Sequence, residues 1–240
     1  MKLGILGKNI AHSLSPFLHN FWMQHHALRG TYELVDEDIE HIKPALEIHQ
    51  GLNITSPYKE VIIPYMDTLT VLAQEIGAIN TIYRLEGKLV GDNTDYFALK
   101  EMLINFPQAT KAMVLGNGGA AKAAIVALKH LAIEAAVYSR QQAWENRHNH
   151  LADINVIINA TPLGLSGHGS PLTALPTHQC LIIDMVYHPL ETPLLKMAQA
   201  SGHPIKDGLE LLIRQGQHSF YRWWGMLPDY ESARKFLTCK

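Results

Sequence analysis

Cysteine is almost missing from this sequence. Only Cys180 and Cys239 occur, far apart and outside any CxxC or Cys/His spacing. That argues against a disulfide framework and a structural zinc site, and it suits a reducing cytoplasm. Long apolar runs are missing too. No stretch approaches the ~20 residues of a membrane span, and polar residues cut off the apolar start of MKLGILGKNIAHSLSP too early for a signal-peptide core. Nor is charge of one sign concentrated anywhere. The 20 basic and 22 acidic residues leave a net charge of −2, with no basic run to follow a phosphate backbone or an anionic membrane. Nucleic acid and membrane are therefore poor partners. Fourteen histidines are present, but no HExxH or i, i+4 pairing organises them. His25, His26, His148 and His150 read as solvated, and no metal is expected.

What is abundant is ordinary core material. Hydrophobic residues make up 47% of 240 positions, enough for one large domain or two small ones. The first half alternates strand and helix. Lys2 to Leu6 reads as a strand, and Ser15-Pro16 opens a helix to about Leu28, with the serine as its cap. A strand near Thr31 to Val35, a helix near Glu37 to His49 and a strand in GLNITSPYK, from Gly51, follow. This is an α/β layer with a mainly parallel sheet. A helix near Leu69 to Ile76 precedes a hairpin, INTIYRLEGKLVG, with Gly87-Lys88 as its turn. After a helix from about Tyr96 to Asn105 the pattern restarts with strands KAMVLG, AAVYS, NVIINA, CLIIDMV and HPIKD. The last helix, GLELLIRQGQHSFYRWWG, carries an apolar stripe and returns to the first unit. The expected domains are 1–100 completed by 209–240, and 101–208.

In the second half, VLGNGGAA places Gly116, Gly118 and Gly119 between strand and helix. Small residues there let backbone approach a pyrophosphate at a helix N-terminus. An acidic residue about 20 positions on would bind the ribose of NAD. Here the strand ends in Ser139 and Arg140 without a carboxylate, so Arg140 is either a contact for the 2′-phosphate of NADP or a solvated residue. In the first half, Lys59 and Asp95 both follow strands, near Asn53, Thr55 and Asn80. Together these would bind a polyol and move a proton. Separately, Asp95 would cap the helix at Tyr96 and Lys59 would be a surface charge.

HSLSP at His12, GLNITSPYK, GAINT at Gly77, GDNTD, GNGGAA, NATPLG at Asn159, DMVY at Asp184 and DGLELLIRQGQHSF at Asp207 run in order along the chain. In these motifs the sequence closely resembles the shikimate dehydrogenase family. The resemblance implies a substrate domain, a Rossmann-like NADP domain, and reversible NADPH-dependent reduction of 3-dehydroshikimate to shikimate by a monomer or homodimer. It implies Lys59 and Asp95 as the catalytic pair. Ser13, Ser15 and Tyr187 would hold the substrate carboxylate, and Asn53, Thr55, Asn80 and Gln215 the ring hydroxyls. Gly116, Asn117, Gly118, Gly119, Ala120, Ser139, Arg140, Thr161, Met185 and Gly208 would contact the nucleotide. Closure of the two domains over the ligands is expected.

The departures from the family pattern bear on the cofactor. Members specific for NADP usually carry Asn-Arg-Thr or Asn-Arg-Ser with a second arginine. Here Ser139, Gln141 and Trp144 stand in those places, leaving Arg140 almost alone on the phosphate. NADP is favoured and NAD stays open. An NAD-using quinate/shikimate dehydrogenase shares nearly all these residues. A non-catalytic sensing module would not need both Lys59 and Asp95, and the paired serines argue against a folate one-carbon dehydrogenase.

Overall fold

The computed structural model describes residues 1–239, which fall into two compact units, 1–95 with 213–239, and 96–212. In the first unit, β1 (Lys2–Gly7), α1 (Ser15–His25), β2 (Thr31–Asp36), α2 (Lys43–Ile48) and β3 (Gly51–Ile54) form the α/β start. They are followed by β4 (Thr68–Leu69), α3 (Val71–Ile76), β5 (Thr81–Leu85) and β6 (Lys88–Asp92). The six strands lie in the order β2-β1-β3-β5-β6-β4. β2, β1 and β3 are parallel, as are β4 and β6, while β5 runs against both its neighbours. Apolar side chains from β1, β3 and β5, including Leu6, Leu52, Ile54 and Ile82, are buried with Ile42, Ile62 and Ile79 on one face of this sheet.

Several elements differ from the sequence reading, each for a local reason. The helix expected at 37–49 is a 3₁₀ turn, Ile39–His41, followed by α2. Pro44 has no N–H to carry an α-helical ladder through that point, so the helix restarts there. The hairpin turns at Glu86-Gly87, with φ of 51° and 81°, not at Gly87-Lys88. Both turn residues must be left-handed to match the strand twist, and Lys88 already belongs to β6. Thr68–Leu69 pair with β6, so α3 starts only after Thr70, whose hydroxyl caps it through Ala73 N. His26 and His148 are half-buried rather than solvated, and His148 Nε2 accepts a 3.2 Å bond from Thr173 N.

The second unit contains most of α4 (Asp95–Ile104), then β7 (Lys111–Leu115), α5 (Gly119–His130), β8 (Glu134–Tyr138), β9 (Val156–Asn159) and β10 (Leu181–Asp184). It ends with α6 (Pro193–Ala200), which the sequence reading did not identify, the two-residue β11 (Ile205–Lys206) and the start of α7 (Gly208–Trp224). Its five strands, ordered β11-β10-β9-β7-β8, are all parallel. Strands buried on both faces read as continuous apolar runs, and β9 and β10 are buried throughout.

The C-terminal part of α7, with α8 (Tyr230–Thr238), belongs to the first unit. Trp22 Nε1 donates to Asp229 O, Phe21 stacks on Phe236 at 4.4 Å, and Arg222 pairs with the buried Asp92 at 2.8 Å. Trp223 lies over Gly51 and donates to Ile82 O at 3.0 Å. A Cβ on Gly51 would overlap the indole of Trp223. Gly51→Ala is therefore expected to displace the ring and cost about 1–3 kcal/mol, read as a lower urea midpoint. An unchanged midpoint would show that the indole yields freely. Among the described residues, no helix is long and apolar enough to cross a membrane.

Candidate active site

The parallel strand β3 ends at Ile54, and the loop beyond it carries Thr55 and Lys59 at the carboxyl edge of the sheet. Asn80 immediately precedes β5 rather than following a strand. Because β5 is antiparallel to β3, with Asn53 opposite Thr81, Asn80 falls on that same edge. Asp95 follows β6 and is the first residue of α4, not its cap. Lys59 Nζ donates to Asp95 Oδ2 at 2.6 Å, and Asn80 Nδ2 donates to Asp95 Oδ1 at 2.8 Å. From α7, Gln215 brings Oε1 to 3.4 Å from Asn80 Nδ2. Four residues spread over more than 150 positions thus meet around one carboxylate. The Asp95 side chain is 6% exposed and that of Lys59 18%, so each charge depends on the other for compensation.

The remaining expected substrate residues are placed differently. Ser15 is the first residue of α1 with Leu14 at the cap, so it does not cap the helix. Its N–H instead donates to Ser13 Oγ at 3.3 Å, and both serines are buried. Thr55 is half-buried beside Gly7, whose missing Cβ leaves room for the threonine methyl. Asn53 is 4% exposed and its amide is engaged within the protein. Its Oδ1 accepts from Tyr32 Oη at 2.7 Å, and its Nδ2 faces Asn80 O, Thr81 Oγ1 and Ser219 Oγ. Tyr187 is half-buried in the second unit.

The second unit has the features of a nucleotide site. Gly116 has φ of 115°, and a Cβ there would sit 2.8 Å from Ala160 O, so only glycine makes this turn. Gly118 precedes α5, Gly119 and Ala120 open it, and no side chain caps its N-terminal amides. Free amides at a helix start suit a phosphate. Asn117 Nδ2 bonds Gln141 Oε1 at 3.2 Å. Ser139 is buried, its Oγ has no partner among the described residues, and the next residue, Arg140, is exposed. The exposed guanidinium at the end of β8 suits a sugar phosphate, while the Ser139 hydroxyl is closed off from solvent. Arg147 stacks on Trp144 at 4.4 Å and donates to Pro171 O, so it ties its loop to the segment after β9.

Deeper in this unit, Asn159 Oδ1 accepts from both N and Oγ1 of Thr161, and Asn159 Nδ2 donates to Asp184 Oδ1 at 2.9 Å. Met185 N donates to Asn159 O, and Gly208 packs on the Met185–Val186 backbone. Burial raises the pKa of Asp184, while bonds from Thr192, Val186 N and Asn159 oppose the shift. The carboxylate thus joins the loops that bear Thr161, Met185 and Tyr187.

Residues 5–82 match the family described as the shikimate dehydrogenase substrate binding domain. A shikimate dehydrogenase (NADP(+)) from Thermus thermophilus is 35% identical over 99% of this chain and 99% of its own length. One from Staphylococcus epidermidis is 33% identical over 100% of this chain and 98% of its own. The chain belongs to the shikimate dehydrogenase family. A solved shikimate 5-dehydrogenase of Thermus thermophilus, in complex with NADP(H) and shikimate, superposes with a TM-score of 0.88 at 34% identity, covering 98% of this chain and 99% of that one.

For a member of the shikimate dehydrogenase family, the residues that sequence reading missed lie beneath the Lys59–Asp95 pair. Tyr32, Thr81, Thr94 and Ser219 hold Asn53 and Asn80 through buried hydroxyls. Thr81 and Thr94 stand inside motifs already singled out, but their threonines read as strand and turn residues. Ser219 likewise stands inside the motif that begins at Asp207, but nothing in the helical pattern there gives it a role.

Proposed function

We propose that this chain is an NADP-dependent shikimate dehydrogenase that reversibly reduces 3-dehydroshikimate to shikimate, and that it works in the cytoplasm. The observation that carries the mechanism is the 2.6 Å pair of Lys59 with Asp95, braced by Asn80. A lysine is charged at neutral pH unless its surroundings strip the charge, and an adjacent carboxylate favours the ammonium. In the reducing direction Lys59 gives a proton to the developing alkoxide while Asp95 stabilises the ammonium. In oxidation the pair takes the hydroxyl proton back. Asn80 and Gln215 bind ring hydroxyls beside the pair, with Thr55 on the adjoining loop. An analogue lacking those hydroxyls forgoes their hydrogen bonds to the site, at about 0.5–1.5 kcal/mol each. Ser13 and Ser15 present hydroxyls to the substrate carboxylate, and Tyr187 assists them.

NADP(H), when bound, supplies the hydride. The chain holds it with the Gly116–Gly119 turn and the amides of α5, with Thr161, Met185 and Gly208, and with Arg140 on the ribose phosphate. The test is reduced-nicotinamide formation with shikimate or quinate, each against NADP and NAD. Turnover is expected with shikimate and NADP. None with any pair, in folded protein that binds shikimate, would favour a sensing module instead.

Arg140 decides the cofactor preference. Arg140→Gln is expected to raise KM for NADP about tenfold or more, the loss of a charge-assisted bond, with KM for NAD little changed. Equal effects on both would mean that Arg140 stacks on adenine and does not read the phosphate.

A further inference from the structure

Ser219 lies one helical turn beyond Gln215 on α7 and is fully buried. Its hydroxyl is 2.8 Å from Asn53 Nδ2, 2.7 Å from Thr81 Oγ1 and 3.1 Å from Thr94 Oγ1. The two threonine hydroxyls are themselves 3.1 Å apart, which closes a triangle of oxygens with no exposed member. Such a cluster is stable only if its protons have somewhere to go. One outlet is Gln215 O, 3.1 Å from Ser219 Oγ. The other is Asn80 Oδ1, which lies 3.0 Å from Thr81 Oγ1 and 3.1 Å from Thr94 Oγ1.

The backbone N–H of Thr94 also donates to Asn80 Oδ1, at 2.7 Å. A backbone N–H can only donate, so it fixes which end of the Asn80 amide is the oxygen. A threonine hydroxyl donates to that oxygen's second lone pair, and the other hydroxyl protons are left for bonds within the cluster. The amide nitrogen is thereby turned toward Asp95 Oδ1, and Asp95 Oδ2 is left for Lys59.

We propose that Ser219 is a positioning residue for proton transfer. Together with Asn53 it pins the Thr81 and Thr94 hydroxyls against Asn80, so that Asn80 donates to Asp95 and Asp95 faces Lys59. It touches neither member of the pair. Asn53 takes part in this support, its amide donors facing protein acceptors. The role rests on Lys59 and Asp95 being the proton-transfer pair. A serine that merely filled space in the core would affect stability and leave the pH profile of turnover alone.

The experiment compares kcat, KM and pH profiles for shikimate oxidation in wild type, Ser219→Ala, Asn80→Ala and the double variant, with melting temperatures alongside. Ser219→Ala is expected to lower kcat about tenfold, the scale of one buried hydrogen bond, to displace the pH profile of kcat, and to leave KM for NADP unchanged. In the Asn80→Ala background it should cost nothing further, since its effect passes through Asn80. Unchanged kcat and pH profile, or the same fold-loss in both backgrounds, would overturn the proposal. Should Ser219→Ala not fold, Thr94→Val keeps the shape and the N–H while removing one hydroxyl of the triangle, and the same two patterns decide. Full turnover in Lys59→Ala would instead overturn the proton-pair assignment beneath the proposal, whatever Ser219→Ala does.

Discussion

Lys59→Ala is expected to lower kcat for shikimate oxidation by roughly 10²-fold or more, with KM for shikimate little changed. The size follows from what Lys59 does that no neighbour can. Asn80 and Gln215 offer amides, which bind a hydroxyl but neither take nor release its proton at neutral pH. Asp95 is held by Asn80 Nδ2 on one oxygen and turned toward Lys59 with the other. With the lysine gone, that carboxylate stays buried and uncompensated, so the variant should also melt at a lower temperature. Asp95→Asn tests the other half. It keeps the shape but places an amide where the ammonium needs a carboxylate, so a loss of similar size is expected. Single-turnover measurement separates the chemical step from product release. A chemical rate in Lys59→Ala equal to that of wild type would remove Lys59 from the proton transfer.

The second large effect concerns stability and pH, and it comes from His19. This imidazole is fully buried on α1, and among the described residues neither ring nitrogen has a hydrogen-bond partner of good geometry. It stacks on Tyr32 at 4.4 Å and meets Trp22, Phe220 and Trp223, none of them charged at neutral pH. Burial lowers its pKa from 6.5 to about 3, with the nearby Asn53 side chain opposing the shift. The folded protein therefore keeps His19 neutral at pH values where the unfolded chain has already taken up a proton. Above pH 6.5 the group makes no difference to stability. Between 6.5 and about 3 the unfolded chain gains by protonation, and stability falls as pH falls. The full window amounts to on the order of 5 kcal/mol, of which about 2 kcal/mol is spent by pH 5. His19→Phe keeps a ring in the stack and removes the titration. The wild type should lose more stability than this variant between pH 7.5 and pH 5, measured by urea unfolding. Equal losses in the two proteins would mean that His19 is protonated without unfolding.

Much of the fold was legible because its strands are short apolar runs punctuated by glycine and proline. Errors fell where a local signal had two readings. Ser15-Pro16 reads as a cap with its proline, yet the helix begins at Ser15 itself, since Leu14 already has helical backbone angles. Lys88 beside Gly87 reads as a turn, yet only residues with positive φ fit that position. The tail after Trp224 gave no periodic signal, and α8 was missed although Asp229 caps it through Ser232 N.

For the candidate site, sequence alone determined the inventory. Lys59, Asp95, Asn80, the glycine turn and Arg140 could each be picked out beside apolar strands, where ionisable and amide groups have little structural reason to be, while Gln215 came only from the family resemblance. Tertiary structure decided how they are used. The antiparallel run of β5 brings Asn80 to the edge that carries Lys59, and α7 delivers Gln215 and Ser219 from more than 130 residues away. Asn53 and Asn80 both have the side chain of a ligand, and the fold surrounds both with protein partners. A hydrogen-bonding group can be read from sequence because chemistry is local. Whether that group is spent inside the protein or left for a substrate depends on which distant partners the fold sets beside it.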